Sequence, residues 1–129
     1  METLELFLRA RPGSLNLEEI AVTIFHCLGI TNWEERLSAN YPPDEHYFSG
    51  YAENATIQIS DCDWFRFEEY TYHASISEPT SWRTGTGIVE KDPLKIVERL
   101  VKVGFTVFIP KGNFFLHGWD GDGDIYTPS

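Results

Sequence analysis

Cysteine is scarce. Cys27 and Cys62 are the only two among 129 residues, too few for the disulfide framework that staples small secreted domains, and the count fits a reducing compartment. Basic side chains are also few. Ten Lys and Arg stand against twenty Asp and Glu, a formal net charge of −10 at pH 7, which argues against a general basic surface for nucleic acid or an anionic membrane. No apolar run approaches the roughly 18 residues of a membrane span. The opening METLELFLRARPG lacks the basic start and continuous apolar core of a signal peptide. The expectation is therefore a cytoplasmic protein with neither nucleic acid nor membrane as a direct partner. Internal repeats, low-complexity tracts and long linkers are absent as well. What the chain does have is aromatic mass, 15% Phe, Trp and Tyr within 42% hydrophobic residues. That is too rich for disorder and suits one folded domain over residues 1–129.

The hydrophobic pattern changes period along the chain. Leu4, Leu6 and Leu8 alternate with Thr3, Glu5 and Phe7, which predicts a first strand ended by Arg11, Pro12 and Gly13. Asn16 followed by Glu19 reads as a capping box. Leu17, Ile20, Ala21, Ile24, Phe25 and Leu28 then recur at helical spacing up to Gly29. A second helix starts with Asp92 as N-cap and Pro93 at its first position, turns Leu94, Val97, Leu100 and Val101 inward, and stops at Gly104. Between the helices, residues 46–53, 55–60 and 64–77 alternate with period two and predict an antiparallel meander. The phase slips at Glu68 and Glu69, as a β-bulge requires. Two further strands, 105–109 and 113–119, are joined by Pro110, Lys111 and Gly112, and residues 120–129 read as a polar C-terminal tail. The order lacks the regular strand–helix alternation of a doubly wound parallel sheet. The expected architecture is α+β, with a mostly antiparallel sheet of about five to six strands packed by two helices.

Charge is uneven along the chain. Residues 1–33 carry −2, 34–78 carry −8, 79–111 carry +3 and 112–129 carry −3. In the central block ten acids face only Arg36 and Arg66, and such self-repulsion works against the compact state unless the field is used. Asp61, Asp63, Glu68 and Glu69 surround Trp64, Phe65 and Phe67, mixing carboxylates with the aromatic anchors that dominate interfaces. The plain alternative is a solvated sheet face and a turn. The basic stretch is mostly Lys95, Arg99 and Lys102 at spacings of three and four, with Glu98 among them, and reads as the solvated face of the second helix.

Chemical motifs are thin. Asp120, Asp122 and Asp124 alternate with glycines as the start of a calcium loop does, but the sixth position is Ile125 and no twelfth-position Glu follows. An acidic contact element beside Trp119 is the better reading, and no metal is expected. His26 and Cys27 are adjacent, yet helix neighbours point about 100° apart. Cys27 also sits near a helix C-terminus that disfavours a thiolate, so it reads as an inert buried thiol. Cys62 lies between Asp61 and Asp63, whose charge dulls it. His26, His46, His73 and His117 show no zinc spacing. No nucleophile elbow, phosphate loop or dinucleotide fingerprint occurs, so neither a cofactor nor catalysis is expected. A different class remains open: a small-molecule or carbohydrate binding module, or a small enzyme, with a pocket lined by Tyr47, Tyr51, Trp64, Tyr70 and Tyr72.

In size, acidity and the Asp61, Trp64, Glu68, Glu69 style of surface, the chain resembles the immunity proteins of bacterial polymorphic-toxin and contact-dependent growth inhibition systems. The resemblance is of class and carries no diagnostic motif. It implies a protein that binds and neutralises a cognate toxin domain, basic and in many cases a nuclease, by covering its active site with carboxylates. The residues expected to touch that partner are Asp61, Asp63, Trp64, Glu68, Glu69, Trp82, Trp119, Asp120, Asp122 and Asp124. Oligomeric state is left open by the sequence.

Overall fold

The computed structural model describes residues 4–10, 16–37, 46–61, 70–79, 85, 87–90, 92–111 and 123–128. Both helices form for the local reasons expected of them. In α1, Leu17–Cys27, the Asn16 side chain accepts from the Glu19 N–H at 3.0 Å, satisfying one of the four unpaired donors of a helix start. In α2, Pro93–Lys102, Asp92 accepts from the Leu94 N–H at 3.0 Å and Pro93 opens the first turn. Both helices end alike. Gly29 and Gly104 take φ of 78° and 103°, and the N–H groups of Ile30 and Phe105 reach back to the carbonyls of Phe25 and Leu100. This is the Schellman closure, in which glycine bears the left-handed φ at least cost. Each closure is followed by a buried apolar residue, Ile30 or Phe105.

The strands are β1 (Leu4–Arg9), β2 (Asn32–Leu37), β3 (His46–Tyr51), β4 (Thr56–Asp61), β5 (Tyr72–Ser77), β6 (Thr106–Pro110) and β7 (Gly123–Tyr126). They form one antiparallel sheet of seven in the order β2-β3-β4-β5-β1-β6-β7. The α+β expectation holds, with seven strands in place of about five to six. Two strands account for the difference. β2 was hidden because Glu34, Glu35 and Arg36 give its alternation a charged centre, and β7 lies inside the stretch read as polar tail. The anticipated strand over 113–119 and the bulge at Glu68 and Glu69 lie outside the described residues.

Register assigns the two faces. Leu6 and Leu8 of β1, Ile57 and Ile59 of β4, Ala74 of β5 and Val107 of β6 align on the face that meets the helices. Ile20, Ile24 and Phe25 of α1 and Ile96, Val97 and Leu100 of α2 close over them. Here α2 differs from the sequence reading. Ile96 points inward, whereas Leu94 is 54% exposed, because the buried stripe of this ten-residue helix runs through 96, 97 and 100 and leaves 94 on the solvent side. Phe7 is fully buried on the opposite face of β1, so the centre of that strand is apolar on both sides, as a strand flanked by β5 and β6 permits. Between β3 and β4, Asn54 fastens the chain that leads into α2. Its side chain accepts from the Val89 N–H and donates to the Val89 carbonyl, both at 2.8 Å.

Candidate partner-binding surface

Sheet order turns the acidic block of the sequence into a place. Of the charged residues in the 34–78 block, Glu34, Glu35, Arg36, Glu53, Asp61 and Glu78 are described, and they lie on or beside β2, β3, β4 and β5, which are consecutive neighbours at one end of the sheet. At about 4.8 Å per strand, this half is about 14 Å wide before side chains are added. Glu35, Glu53 and Glu78 are exposed on it, and Glu34 and Asp61 are half-buried. Trp33, on outermost β2, leaves 38% of its surface exposed. Its ring is stacked on Phe25 at 6.0 Å and meets Phe48 edge-on at 6.2 Å. An exposed indole fixed from behind loses little entropy on binding, the property expected of an anchor.

On the face away from the helices, three side chains bond one another. The Tyr51 hydroxyl donates to Glu34 Oε1 at 3.0 Å, and one Arg36 nitrogen donates to the same oxygen at 3.3 Å and to the Tyr51 oxygen at 3.4 Å. The hydrogen bond to Tyr51 is the main reason the Arg36 guanidinium holds its proton more tightly than usual. Arg36, the one cation described on β2, thus pairs with its own strand's Glu34, while the exposed Glu35 lies on the other face, in register with Phe48.

Of the ten residues expected to touch a partner, Asp61 and Asp124 are described. Asp63, Trp64, Glu68, Glu69, Trp82, Trp119, Asp120 and Asp122 lie outside the described residues. Asp61 ends β4 opposite Tyr72. Burial, and then the Asp61 charge, push the Tyr72 hydroxyl above its ordinary pKa. Asp124 sits on β7, four strand steps or about 19 Å from β4, and Lys111 pairs with it at 3.4 Å. The two carboxylates therefore belong to opposite ends of the sheet, and Asp124 already has a cation. Among the described residues no group of three or more His, Cys, Asp and Glu could hold a metal ion, and no helix is long and apolar enough to cross a membrane.

The tyrosines divided between the faces differently from the single pocket considered above. Tyr72 lies in the helix-side core with Leu8, while Tyr47 and Tyr51 project to the other face. Tyr70 stacks on Phe108 at 5.6 Å, with Arg9 over its ring. On that second face register draws out something the sequence could not show. Glu34, Ser49, Gln58, Ser75 and Glu5 are successive partners across β2, β3, β4, β5 and β1. They make one polar row with an acid at each end. Glu5 holds His73 through Nε2 and accepts from the Ser75 hydroxyl at 3.3 Å. The nearby Thr56 hydroxyl is buried with no hydrogen-bond partner. No local signal finds the Glu5–His73 contact, since 68 residues separate its members. Cys27, expected to be buried, is half-buried, donating to the Arg99 carbonyl at 3.2 Å, its thiol pushed up by burial despite the Arg99 charge. Comparison of the chain with protein-family models, with curated proteins and with solved structures finds no match.

Proposed function

We propose that this chain is a protein-binding inhibitor that neutralises a basic toxin domain by laying its acidic half over the toxin's active site, in the manner of the immunity proteins it resembles in character. The observation that carries the reading is that the described acids of the 34–78 block, Glu34, Glu35, Glu53, Asp61 and Glu78, lie on or beside four adjacent strands, β2 to β5, with Glu35 and Trp33 exposed on the outermost one. A site that binds nucleic-acid phosphates is cationic, so a rigid array of carboxylates competes with its substrate. The field accelerates encounter, and a supported aromatic such as Trp33 slows dissociation. Asp61, Asp63, Glu68 and Glu69 belong to the same acidic half by sequence, with Trp64 as a second anchor. Trp82, Trp119, Asp120, Asp122 and Asp124 remain its proposed outlying contacts.

The test is capture of partners from the source cell at low and then moderate salt, followed by assay of any basic toxin domain recovered, with and without this protein. A partner released by salt and inhibited at a one-to-one ratio supports the proposal. A partner whose activity is unchanged by saturating inhibitor, or no partner at either salt, overturns it. A second reading, a module for a small polyhydroxylated ligand, is favoured by the polar row from Glu34 to Glu5 with the buried unpaired Thr56 hydroxyl beside it. Ligand-observed NMR against a panel of monosaccharides and polyols separates it from the first.

A further inference from the structure

The helices form a layer of their own on one side of the sheet, and their outer surfaces carry opposite charge. On α1, Glu18, Glu19 and Val22 are exposed. On α2, Lys95, Arg99 and Lys102 are exposed at i, i+4 and i+7, with Glu98 among them removing one of the three charges. None of these acids or bases is ion-paired within the described chain. The two helices touch where Cys27, at the end of α1, donates to the Arg99 carbonyl of α2. Apolar exposure gathers in the same layer. Of the six large hydrophobic residues found exposed, Val22, Leu94, Val103 and Ile88 belong to α1, to α2 and its C-cap, or to the segment entering α2. Ile88 is the most exposed, at 70%. The surface is not flat there. A depression of about 280 Å³ opens beside Arg99, lined also by Ile88, Val89 and Glu90.

We infer that this helical layer is the contact through which two copies of the chain associate about a two-fold axis. A two-fold contact must be self-complementary, because each feature meets the other copy's counterpart twice. An acidic helix beside a basic one satisfies that condition: α1 of one copy lies against α2 of the other, and the same pairing repeats on the far side of the axis. Val22 and Leu94, the exposed apolar side chains within these two helices, leave water in that pairing. The alternative occupant, a different protein, needs only one of the two charge signs and gives no reason for both to be presented side by side. Helices of eleven and ten residues are about 16 and 15 Å long. Two of them side by side cover about 300 Å² in projection, well under the roughly 800 Å² per partner of a standard stable interface. The dimer is accordingly a weak, concentration-dependent one.

Sedimentation velocity over a concentration series, at about 50 mM and about 500 mM salt, tests this by shortening the screening length severalfold. The expected result is concentration-dependent dimer at low salt, weakened at least tenfold at high salt. Glu18→Lys with Glu19→Lys, and separately Lys95→Glu with Arg99→Glu, each abolish the dimer. Combining all four substitutions restores it, because the charges are complementary again. Circular dichroism and melting curves on each variant establish that it is folded. Ile125→Lys on β7 and Trp33→Ala on β2 leave the dimer intact. A monomer at every concentration and salt overturns the inference. So does a dimer that survives either charge reversal, fails to return in the fourfold variant, or is lost on changing Ile125 or Trp33. These outcomes are independent of whether a toxin is bound.

Discussion

The two ends of the sheet differ in origin and in the charge they carry. The β2–β5 end is built from consecutive sequence, a meander whose neighbours in space are neighbours in the chain, and it holds the described acids Glu34, Glu35, Glu53, Asp61 and Glu78. The other end is assembled from the two extremes of the chain. There β1 is inserted between β5 and β6, β7 pairs with β6, and the +3 stretch of residues 79–111 supplies α2 and β6. Local connectivity thus concentrates acids at one end, while at the far end Lys111 and Asp124 offset each other. The comparison teaches that a charge block in sequence becomes a surface only when its strands stay adjacent.

Breaking the core under either end has the largest expected effect. Phe25 is fully buried beneath Trp33, and Phe25→Ala should lower stability by about 3–5 kcal/mol, read as a shift in denaturant midpoint. Leu100→Ala under α2 should cost about 2–5 kcal/mol. If the ends share one cooperative core, each variant shows a single transition by circular dichroism and Trp fluorescence alike. Separate transitions would show that the ends fold independently.

Next in size is the clamp between them. Asn54→Ala removes both hydrogen bonds to Val89 and leaves backbone groups to find other partners, a loss of about 2 kcal/mol. Asn54→Asp keeps the acceptor only and should fall between Ala and the parent. Equal melting of all three would mean that the 87–90 segment is held otherwise.

Surface charge should separate function from stability. Glu35→Lys, Glu53→Lys and Glu78→Lys together should leave stability within about 0.5 kcal/mol or raise it, by relieving like-charge repulsion. The same triple variant should slow association with a basic partner at least tenfold at low salt, with little change at high salt. Lys95→Glu with Arg99→Glu adds negative charge and should not slow that association at low salt, and a slowing equal to that of the triple variant would erase the distinction between the ends.

The smallest effect is on the alkaline side. Folding raises the Cys27 pKa above 9.0 by burial, and raises that of Tyr72 above 10.0 by burial and by Asp61. In both cases the unfolded chain loses its proton first. Stability is therefore complete below about pH 9 and declines as pH climbs through the raised values. Cys27→Ala should flatten the first part of that decline in a series of urea melts, and an unchanged profile would show that the thiol is not held protonated by the fold.

The sequence by itself determined the pieces whose causes lie within a few residues. Asn16, and Asp92 with Pro93, start the helices, Gly29 and Gly104 stop them, and period-two runs mark β1, β3, β4, β5 and β6. Caps are hydrogen bonds over two to four positions, and alternation is a property of the extended backbone, so both can be read locally. The charged centre of β2 and the acidic glycine-rich approach to β7 broke that alternation, and both strands became legible only in the sheet. Most of the proposed contact residues have no described position, so their legibility rests with Asp61, which lies in the acidic half, and Asp124, which does not. Tertiary structure alone decided that β1 lies between β5 and β6, that Glu5 meets His73 and that Leu94 faces outward. It also decided that five polar residues from five strands form one row. Each depends on which distant segments bury one another's apolar faces, and that choice is made by the whole core at once and is recorded in no single stretch of the chain.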